Sequence, residues 1–199
     1  MWRAAHTFFR REAGDRVIGK MATIRIDVPS QTLALLDDRG RLLRHYVVST
    51  GARGVGEKNG SNCTPRGQHV IRAKIGAGQP PGAVFVQRRP TGEVYGPDLA
   101  ARFPDRDWIL TRILWLSGCE PGFNRLGDVD TLRRFIYIHG TPDDVPLGIP
   151  GSKGCVRMRN VDIIDLFERV AVGTRVEIVA PHAPVAVVEK NASGTAGAA

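Results

Sequence analysis

Short stretches of alternating apolar and polar residues run through this chain, a pattern with a period of two that is typical of half-buried β-strands. A turn at residues 37–40 joins two of these stretches in the manner of a β-hairpin. The pattern predicts a mostly β domain, sandwich or barrel-like, of about eight short strands. These strands are predicted at residues 24–28, 32–36, 42–49, 68–75, 83–86, 108–116, 135–138 and 175–180.

One good α-helix is predicted after Cys155. Apolar residues recur at i, i+3, i+4 and i+7 from Ile163 to Val170, which places them on one face of a helix. Asn160 suits the N-cap position, and Gly173 suits the end of the helix. By contrast, residues 79–106 are rich in Pro, Gly and Arg, and we expect a mostly irregular insertion there that forms a lid or a substrate-binding segment.

Composition limits the classes of protein to consider. A chain of 199 residues, 42% of them hydrophobic, can bury the core of one domain, and no apolar run is long enough to span a membrane. The net charge of +8 is spread over scattered Lys and Arg residues, without a recognisable nucleic-acid-binding motif. We therefore expect no nucleic-acid partner. The charge would suit a substrate with several carboxylates, or it is a generally basic surface.

The cysteines do not form an obvious framework. Cys63, Cys119 and Cys155 are odd in number and widely spaced, which argues against a disulfide scaffold and leaves at least one free thiol. A metal site of Cys63, His69, His139 and Cys155 is an alternative, but its spacing matches no common zinc pattern. We expect neither metal nor cofactor, no catalysis by Cys63 or Cys119, and a structural or surface role for His69.

Three segments are predicted along the chain: an N-terminal extension at 1–21, one catalytic domain at 22–180 and a disordered tail at 181–199. Charged residues occupy positions 10–16, where a secretory leader would have its apolar region, and the tail has little to bury. The sequence as given is therefore expected to act in the cytoplasm, and a truncated or mis-assigned start is the alternative.

His139 and Cys155 carry the clearest candidate chemistry. They lie in the segments YIHGT at 137–141 and SKGCVRM at 152–158, the first of which follows an apolar strand. A free cysteine is only a few per cent thiolate at neutral pH, so a nucleophilic thiol needs a base beside it. We expect His139 to emerge at the end of its strand and to serve as that base. The alternative is a buried structural pair with no chemistry.

With these motifs the sequence resembles the L,D-transpeptidase (YkuD-type) catalytic domain family. The segments TPRG at 64–67 and ILWL at 113–116 also resemble that family, and the motifs occur in the same order over residues 22–180. The resemblance implies a β-rich sandwich with its cysteine near a short helix. Lys153 is a departure, because the family usually has histidine at this position.

The resemblance and the chemistry together predict roles for four residues. Cys155 is the expected nucleophile, and His139 takes its proton and later gives it to the leaving amine. The carbonyl of Gly140 would fix the tautomer of His139. Gly154 would let the loop bend, so that the N–H groups of Gly154 and Cys155 point at a developing oxyanion.

Three further residues are candidates for substrate binding. Arg157 would clamp a substrate carboxylate through two hydrogen bonds, or else form a surface salt bridge. Ser152 would position substrate or hold its loop through a local hydrogen bond. Lys153 would lower the pKa of the thiol if its ammonium group lies nearby.

The resemblance also implies the reaction. Family members form a thioacyl intermediate from a peptidoglycan tetrapeptide stem by cleaving the L,D bond between meso-diaminopimelate and D-alanine. An amine acceptor from a second stem then gives a 3→3 cross-link, a lipoprotein amine gives anchoring, and water gives an L,D-carboxypeptidase. Carbapenems acylate the same cysteine in many members. A non-catalytic peptidoglycan-binding module is the remaining alternative.

Overall fold

The computed structural model describes residues 22–180, which form ten β-strands and two α-helices. The predicted extension at 1–21 and tail at 181–199 lie outside the described residues. The predicted mostly β fold is confirmed. In chain order the elements are β1 Thr23–Asp27, β2 Thr32–Leu36, β3 Leu42–Val47, β4 Gly67–Ile75, β5 Ala83–Val86, β6 Arg89–Val94, α1 Pro97–Arg102, β7 Ile109–Gly118, β8 Tyr137–Gly140, β9 Val156–Met158, α2 Asn160–Arg169 and β10 Arg175–Val179.

All ten strands join one mixed sheet. Its order is β3-β2-β1-β10-β4-β7-β5-β6, and β8 pairs with β7 on one side and with β9 on the other. The β1–β10 and β8–β9 pairs are parallel, while the other pairs are antiparallel. The central strand β7 has seven buried positions along its ten residues, which fits its position between β4, β5 and β8.

Helix α2 covers the main core with the face that the sequence predicts. Ile163, Leu166 and Phe167 are buried against apolar side chains of the sheet. The predicted N-cap is wrong, because Arg159 occupies that position and Asn160 is already helical. The Nδ2 of Asn160 instead donates a hydrogen bond to the carbonyl of Thr141 at 3.0 Å. Its Oδ1, the atom that capping would use, accepts a hydrogen bond from the hydroxyl of Thr111.

The predicted end of the helix also differs. Helix α2 ends at Arg169, and Gly173 lies in the following turn with a φ of +89°. The ammonium group of Lys74 donates hydrogen bonds to the carbonyl oxygens of Phe167 and Val170, both at 2.6 Å. A cation from the sheet thus satisfies the last carbonyls of the helix and complements its dipole.

Residues 79–106 are more regular than the composition predicts. Strands β5 and β6 form a hairpin, and α1 follows it. The two residues at the hairpin tip, Gln87 and Arg88, have φ angles of +48° and +69°. This is the left-handed backbone that a two-residue hairpin turn requires, but the usual Asn-Gly or Gly signal is absent, so the sequence pattern did not reveal the turn. A lid role for the segment stays a prediction.

Burial of His69 should make the stability of the fold depend on pH. Its ring contacts the carbonyl of Gly67 at 3.0 Å and the hydroxyl of Thr131 at 3.1 Å, and burial lowers the pKa of His69 from 6.5 to about 4. Between these two pH values the unfolded chain binds more protons, so the stabilisation is complete above pH 6.5 and is lost as the pH falls towards 4.

We expect His69→Gln to remove about 2 kcal/mol of the decrease in unfolding free energy that wild type shows between pH 7.5 and pH 5. Urea unfolding at the two pH values measures this decrease. Exposed His45 supplies the matched control, because His45→Gln removes an imidazole that the fold does not bury. An unaltered decrease in His69→Gln would contradict the prediction.

Candidate active site

Strands β8 and β9 bring His139 and Cys155 together. In the parallel register His139 pairs with Arg157, and Cys155 comes directly before β9. The backbone N–H of Tyr137 donates a hydrogen bond to the sulfur of Cys155 at 3.4 Å. Cys155 is therefore offset by two residues from the partner of His139. Strand spacing and rise then put the two Cα atoms about 8 Å apart, within reach of an imidazole and a thiol.

His139 lies inside β8 rather than beyond its end, contrary to the prediction. The strand begins at Tyr137 because Phe135 has a φ of +56°, which breaks the extended run two residues earlier. The ring is only 2% exposed, and burial lowers the pKa of His139 to about 4. The imidazole is thus neutral at neutral pH and can accept a proton.

The tautomer of His139 is set by its own strand. Nδ1 of the ring lies 2.8 Å from the carbonyl oxygen of Gly140, which can only accept a hydrogen bond, so Nδ1 carries the proton. Among residues 22–180, Nε2 has no hydrogen-bond partner. Gly140 cannot be larger, since a Cβ there would lie 2.8 Å from the carbonyl oxygen of Leu110. The base role of His139 and the orienting role of Gly140 remain predictions.

The thiol of Cys155 is protonated at rest. Burial raises the pKa of Cys155 to about 12, although Arg157 and Arg134 oppose this shift, and the sulfur also contacts the carbonyl oxygen of Phe135 at 3.5 Å. A neutral thiol beside a neutral imidazole is the starting state of general-base catalysis, in which the proton moves as the sulfur attacks.

Ser152 holds the loop that precedes Cys155. Its hydroxyl donates to the carbonyl of Cys155 at 2.5 Å and accepts from the backbone N–H of Gly154 at 3.1 Å. This geometry fits the loop-holding alternative. The N–H of Gly154 is already engaged with this hydroxyl, and its oxyanion role stays a prediction. The N–H of Cys155 has no protein partner within residues 22–180 and is the remaining donor.

Gly154 serves the backbone conformation instead. Its φ is +109°, and a Cβ would lie 2.9 Å from the carbonyl oxygen of Cys63. The carbonyl of Gly154 accepts a hydrogen bond from the hydroxyl of Thr64 at 3.0 Å, so the loop packs closely on the 63–64 segment.

We expect Gly154→Ala to destabilise the domain by about 1–3 kcal/mol and to displace the thiol, because backbone strain and a steric clash coincide. Thermal unfolding and the rate of thiol alkylation measure the two effects. Gly60→Ala is the control: Gly60 has a φ of +74° but open space around its Cβ position, so that variant reports the backbone strain alone. Equal losses in the two variants would show that packing against Cys63 contributes nothing.

Arg157 is engaged by the protein itself. Its guanidinium donates to the carboxylate of Asp107 at 2.6 Å and to the carbonyl of Gly151 at 2.9 Å, and the side chain is 14% exposed. The salt-bridge alternative is therefore observed, and a carboxylate-clamp role for Arg157 stays a prediction. The nearby acid could not be identified from the sequence, where Asp107 stands in a polar segment 50 residues away from its partner.

The substrate-binding role of Lys153 stays a prediction. The cations that lower the pKa of Cys155 are Arg157 and Arg134. Lys153 is exposed and lines a cleft of about 200 Å³ at the His139 end of the site, together with Asp107 and Arg157. The lining of this cleft also includes Asp105, Arg106, Trp108 and Thr141.

Sequence reasoning missed the arginines around the thiol. Arg134 donates hydrogen bonds to three backbone carbonyls, those of Gly56, Glu57 and Cys63, and so ties the Gly-rich loop to the site. Arg88 contacts the hydroxyl of Tyr137 at 2.9 Å from the hairpin tip. Scattered basic residues carry no sequence signal that would separate these two from a solvated surface.

The alternative metal site is not assembled. The ring nitrogens of His69 face Gly67 and Thr131, and the thiol of Cys63 donates to the carbonyl of Arg53 at 3.3 Å. Within the described residues no three side chains of His, Cys, Asp or Glu are grouped to bind a metal ion. None of the helices in residues 22–180 has the length and apolar character to cross a membrane.

Comparisons with known proteins agree with the resemblance. A profile of the YkuD family, described as the L,D-transpeptidase catalytic domain, matches residues 21–178. A 46-residue segment is 52% identical to "Probable L,D-transpeptidase YbiS" of Escherichia coli strain K12, and one of the same length is 50% identical to "Probable L,D-transpeptidase ErfK/SrfK" of Salmonella typhimurium. Each match spans 23% of this chain and 15% of the relative.

The fold comparison points the same way. The structure of Bd1075 from Bdellovibrio bacteriovorus matches with a TM-score of 0.51 at 18% identity, over 80% of this chain and 48% of that one. At this identity the likeness concerns the fold alone. The chain thus spans about half the length of this solved relative, and a smaller share of the two curated ones is matched.

Proposed function

The chain belongs to the YkuD family of L,D-transpeptidase catalytic domains, and we propose that it is a peptidoglycan-modifying cysteine acyltransferase. It attacks the L,D bond of a tetrapeptide stem and forms a thioacyl-enzyme on Cys155. The observation that carries the proposal is the placement of the buried, neutral imidazole of His139 on β8 and of the thiol of Cys155 directly before the adjacent strand β9.

Acylation would begin with proton transfer from the sulfur of Cys155 to Nε2 of His139. The sulfur attacks the carbonyl carbon of the scissile amide, and the backbone N–H of Cys155 donates to the oxyanion. When the tetrahedral intermediate collapses, His139 returns the proton to the departing nitrogen. D-alanine leaves with its amine restored, and the stem remains as a thioester on Cys155.

Deacylation would repeat these steps with an acceptor. His139 removes a proton from an incoming amine as the amine attacks the thioester, and the thiol of Cys155 recovers that proton when it leaves. The amine of a second stem gives a 3→3 cross-link. Water in the same position gives an L,D-carboxypeptidase, which is the alternative activity of the same site. A carbapenem would acylate Cys155 by the first half of this mechanism.

Mass spectrometry of the full chain incubated with disaccharide tetrapeptide tests the proposal. We expect D-alanine release together with cross-linked dimers, and neither product from Cys155→Ala. Tripeptide without dimers would identify the carboxypeptidase. The protein could instead bind the stem without turnover, and its thiol could fail to react with a carbapenem. That result would overturn the proposed enzymatic activity and favour a non-catalytic binding module.

A further inference from the structure

Arg88 is held by aromatic side chains close to Cys155. Its guanidinium carbon lies 4.5 Å from the ring centre of Trp115 and 4.6 Å from that of Phe135, and Nη1 donates to the hydroxyl of Tyr137 at 2.9 Å. The two rings contact each other, with centroids 6.1 Å apart. Aromatic faces fix the plane of a guanidinium and leave N–H groups at its edge available.

The residues that hold Arg88 also line the thiol. The carbonyl of Phe135 and the backbone N–H of Tyr137 both contact the sulfur of Cys155. Trp115 and Cys155 pack against the same small apolar cluster, which includes Tyr137. A group bound at the edge of Arg88 would therefore lie next to the pocket from which the thiol attacks.

Most of the donors of Arg88 are unused. A guanidinium has five N–H groups, and the bond to Tyr137 engages one of them. Within residues 22–180 no carboxylate pairs with Arg88, whereas Arg157 at the other end of the site is neutralised by Asp107. The side chain of Arg88 is only partly exposed, and its charge has no carboxylate partner among the described residues. An anion is the ligand that such a group favours.

The need for proton transfer at His139 fixes the orientation of the substrate, and thereby the part of it that lies near Arg88. His139 must reach the leaving nitrogen and the incoming acceptor, so both belong at the His139 end, where the cleft beside Asp107, Lys153 and Arg157 lies. The acyl portion then extends in the opposite direction along β8, past Tyr137. This direction leads to Arg88, because Arg88 bonds to the side chain of Tyr137.

We propose that Arg88, held by Trp115, Phe135 and Tyr137, is a carboxylate-binding subsite for the acyl donor. This inference rests on the proposed function, and it assigns to Arg88 the clamp that the sequence suggested for Arg157. A stem peptide offers two carboxylates of this chemistry on the acyl side: the α-carboxylate of its second residue and the free carboxylate of diaminopimelate. Arg88 binds one of them through two parallel hydrogen bonds.

The test measures binding in the Cys155→Ala background, so that it does not depend on turnover. Isothermal titration calorimetry gives the Kd of three tetrapeptides: both carboxylates free, the second-residue carboxylate amidated, or the diaminopimelate carboxylate amidated. We expect one of the two amidations to weaken binding roughly 10- to 100-fold, which identifies the recognised carboxylate. Adding Arg88→Gln should weaken binding of the free stem by a similar factor and remove the discrimination.

Controls separate recognition from hairpin structure. The ratio of free to amidated affinity is internal to each protein, so a smaller folded fraction cancels. Arg88→Lys keeps the positive charge but cannot form two parallel hydrogen bonds with one carboxylate. It should therefore retain only part of the discrimination between free and amidated stems. Arg89→Gln changes the exposed neighbour at the same hairpin and should behave as the parent.

The proposed subsite would be overturned if Arg88→Gln discriminated between free and amidated stems as well as the Cys155→Ala parent does. It would also be overturned if the parent did not bind the stems or did not discriminate between them. Failure of the proposed function has a different signature: wild type would release no D-alanine, while carboxylate-dependent binding through Arg88 persists.

Discussion

Replacing Cys155 by alanine is expected to lower D-alanine release from tetrapeptide stems by at least about 10⁴-fold, since nothing else in the described site can form the thioester. The rate is measured by quantifying free D-alanine under single-turnover and steady-state conditions. The substitution removes only the sulfur atom, which contacts the backbone of Phe135 and Tyr137, so alanine leaves a small gap and the fold should be retained.

The other two cysteines supply matched controls. Cys63 and Cys119 are partly buried free thiols like Cys155, but Cys63 contacts the carbonyl of Arg53 and Cys119 lies beyond the far end of β7. Cys63→Ala and Cys119→Ala should each stay within a few-fold of wild type and keep the mass shift that a carbapenem adduct produces. If either of these variants lost activity while Cys155→Ala retained it, the nucleophile would be a residue other than Cys155.

Replacing His139 by glutamine is expected to lower the rate by roughly 10²–10⁴-fold, the usual contribution of a positioned general base. Because burial raises the pKa of Cys155 to about 12, the residual rate should increase about tenfold per pH unit between pH 7 and 10, following the small thiolate fraction. Wild type should be nearly flat over this range and should lose activity only as the pH falls towards 4, where His139 takes up a proton.

Stopped-flow acylation by a chromogenic substrate or a carbapenem provides the pH profiles. His45→Gln is the control, because His45 is exposed on β3 away from the site. Equal pH profiles for wild type and His139→Gln would contradict the base role. They would indicate that the thiol reacts as a preformed thiolate.

Local patterns determined much of the fold. Strand β2 has the predicted bounds, Thr32–Leu36, and the predicted apolar face of α2 is buried at Ile163, Leu166 and Phe167. These features follow from periods of two and of 3.6 residues, which belong to short stretches of chain and need no knowledge of distant contacts. The hairpin turn at Gln87 and Arg88 was not predicted, because its two left-handed positions lack the Asn-Gly or Gly residues that usually mark such a turn.

The candidate catalytic pair was also visible in the sequence, through the residue types and motif around His139 and Cys155. The geometry of the pair was not. The parallel pairing of β8 with β9 puts the thiol opposite Tyr137, and that pairing joins strands separated by a loop with no pairing signal. Burial by the surrounding strands then lowers the pKa of His139 and raises that of Cys155, which no local pattern can report.

The roles of the charged side chains were decided by tertiary structure alone. From the sequence Arg157 and Arg88 are two cations among many, and the first stands in the motif. In the fold Asp107 neutralises Arg157, while Trp115, Phe135 and Tyr137 hold Arg88 with most of its donors unused. The physical reason is that the role of a charged side chain depends on the groups it contacts. Long side chains reach groups on elements that lie far apart in the sequence, so only the tertiary structure determines these contacts.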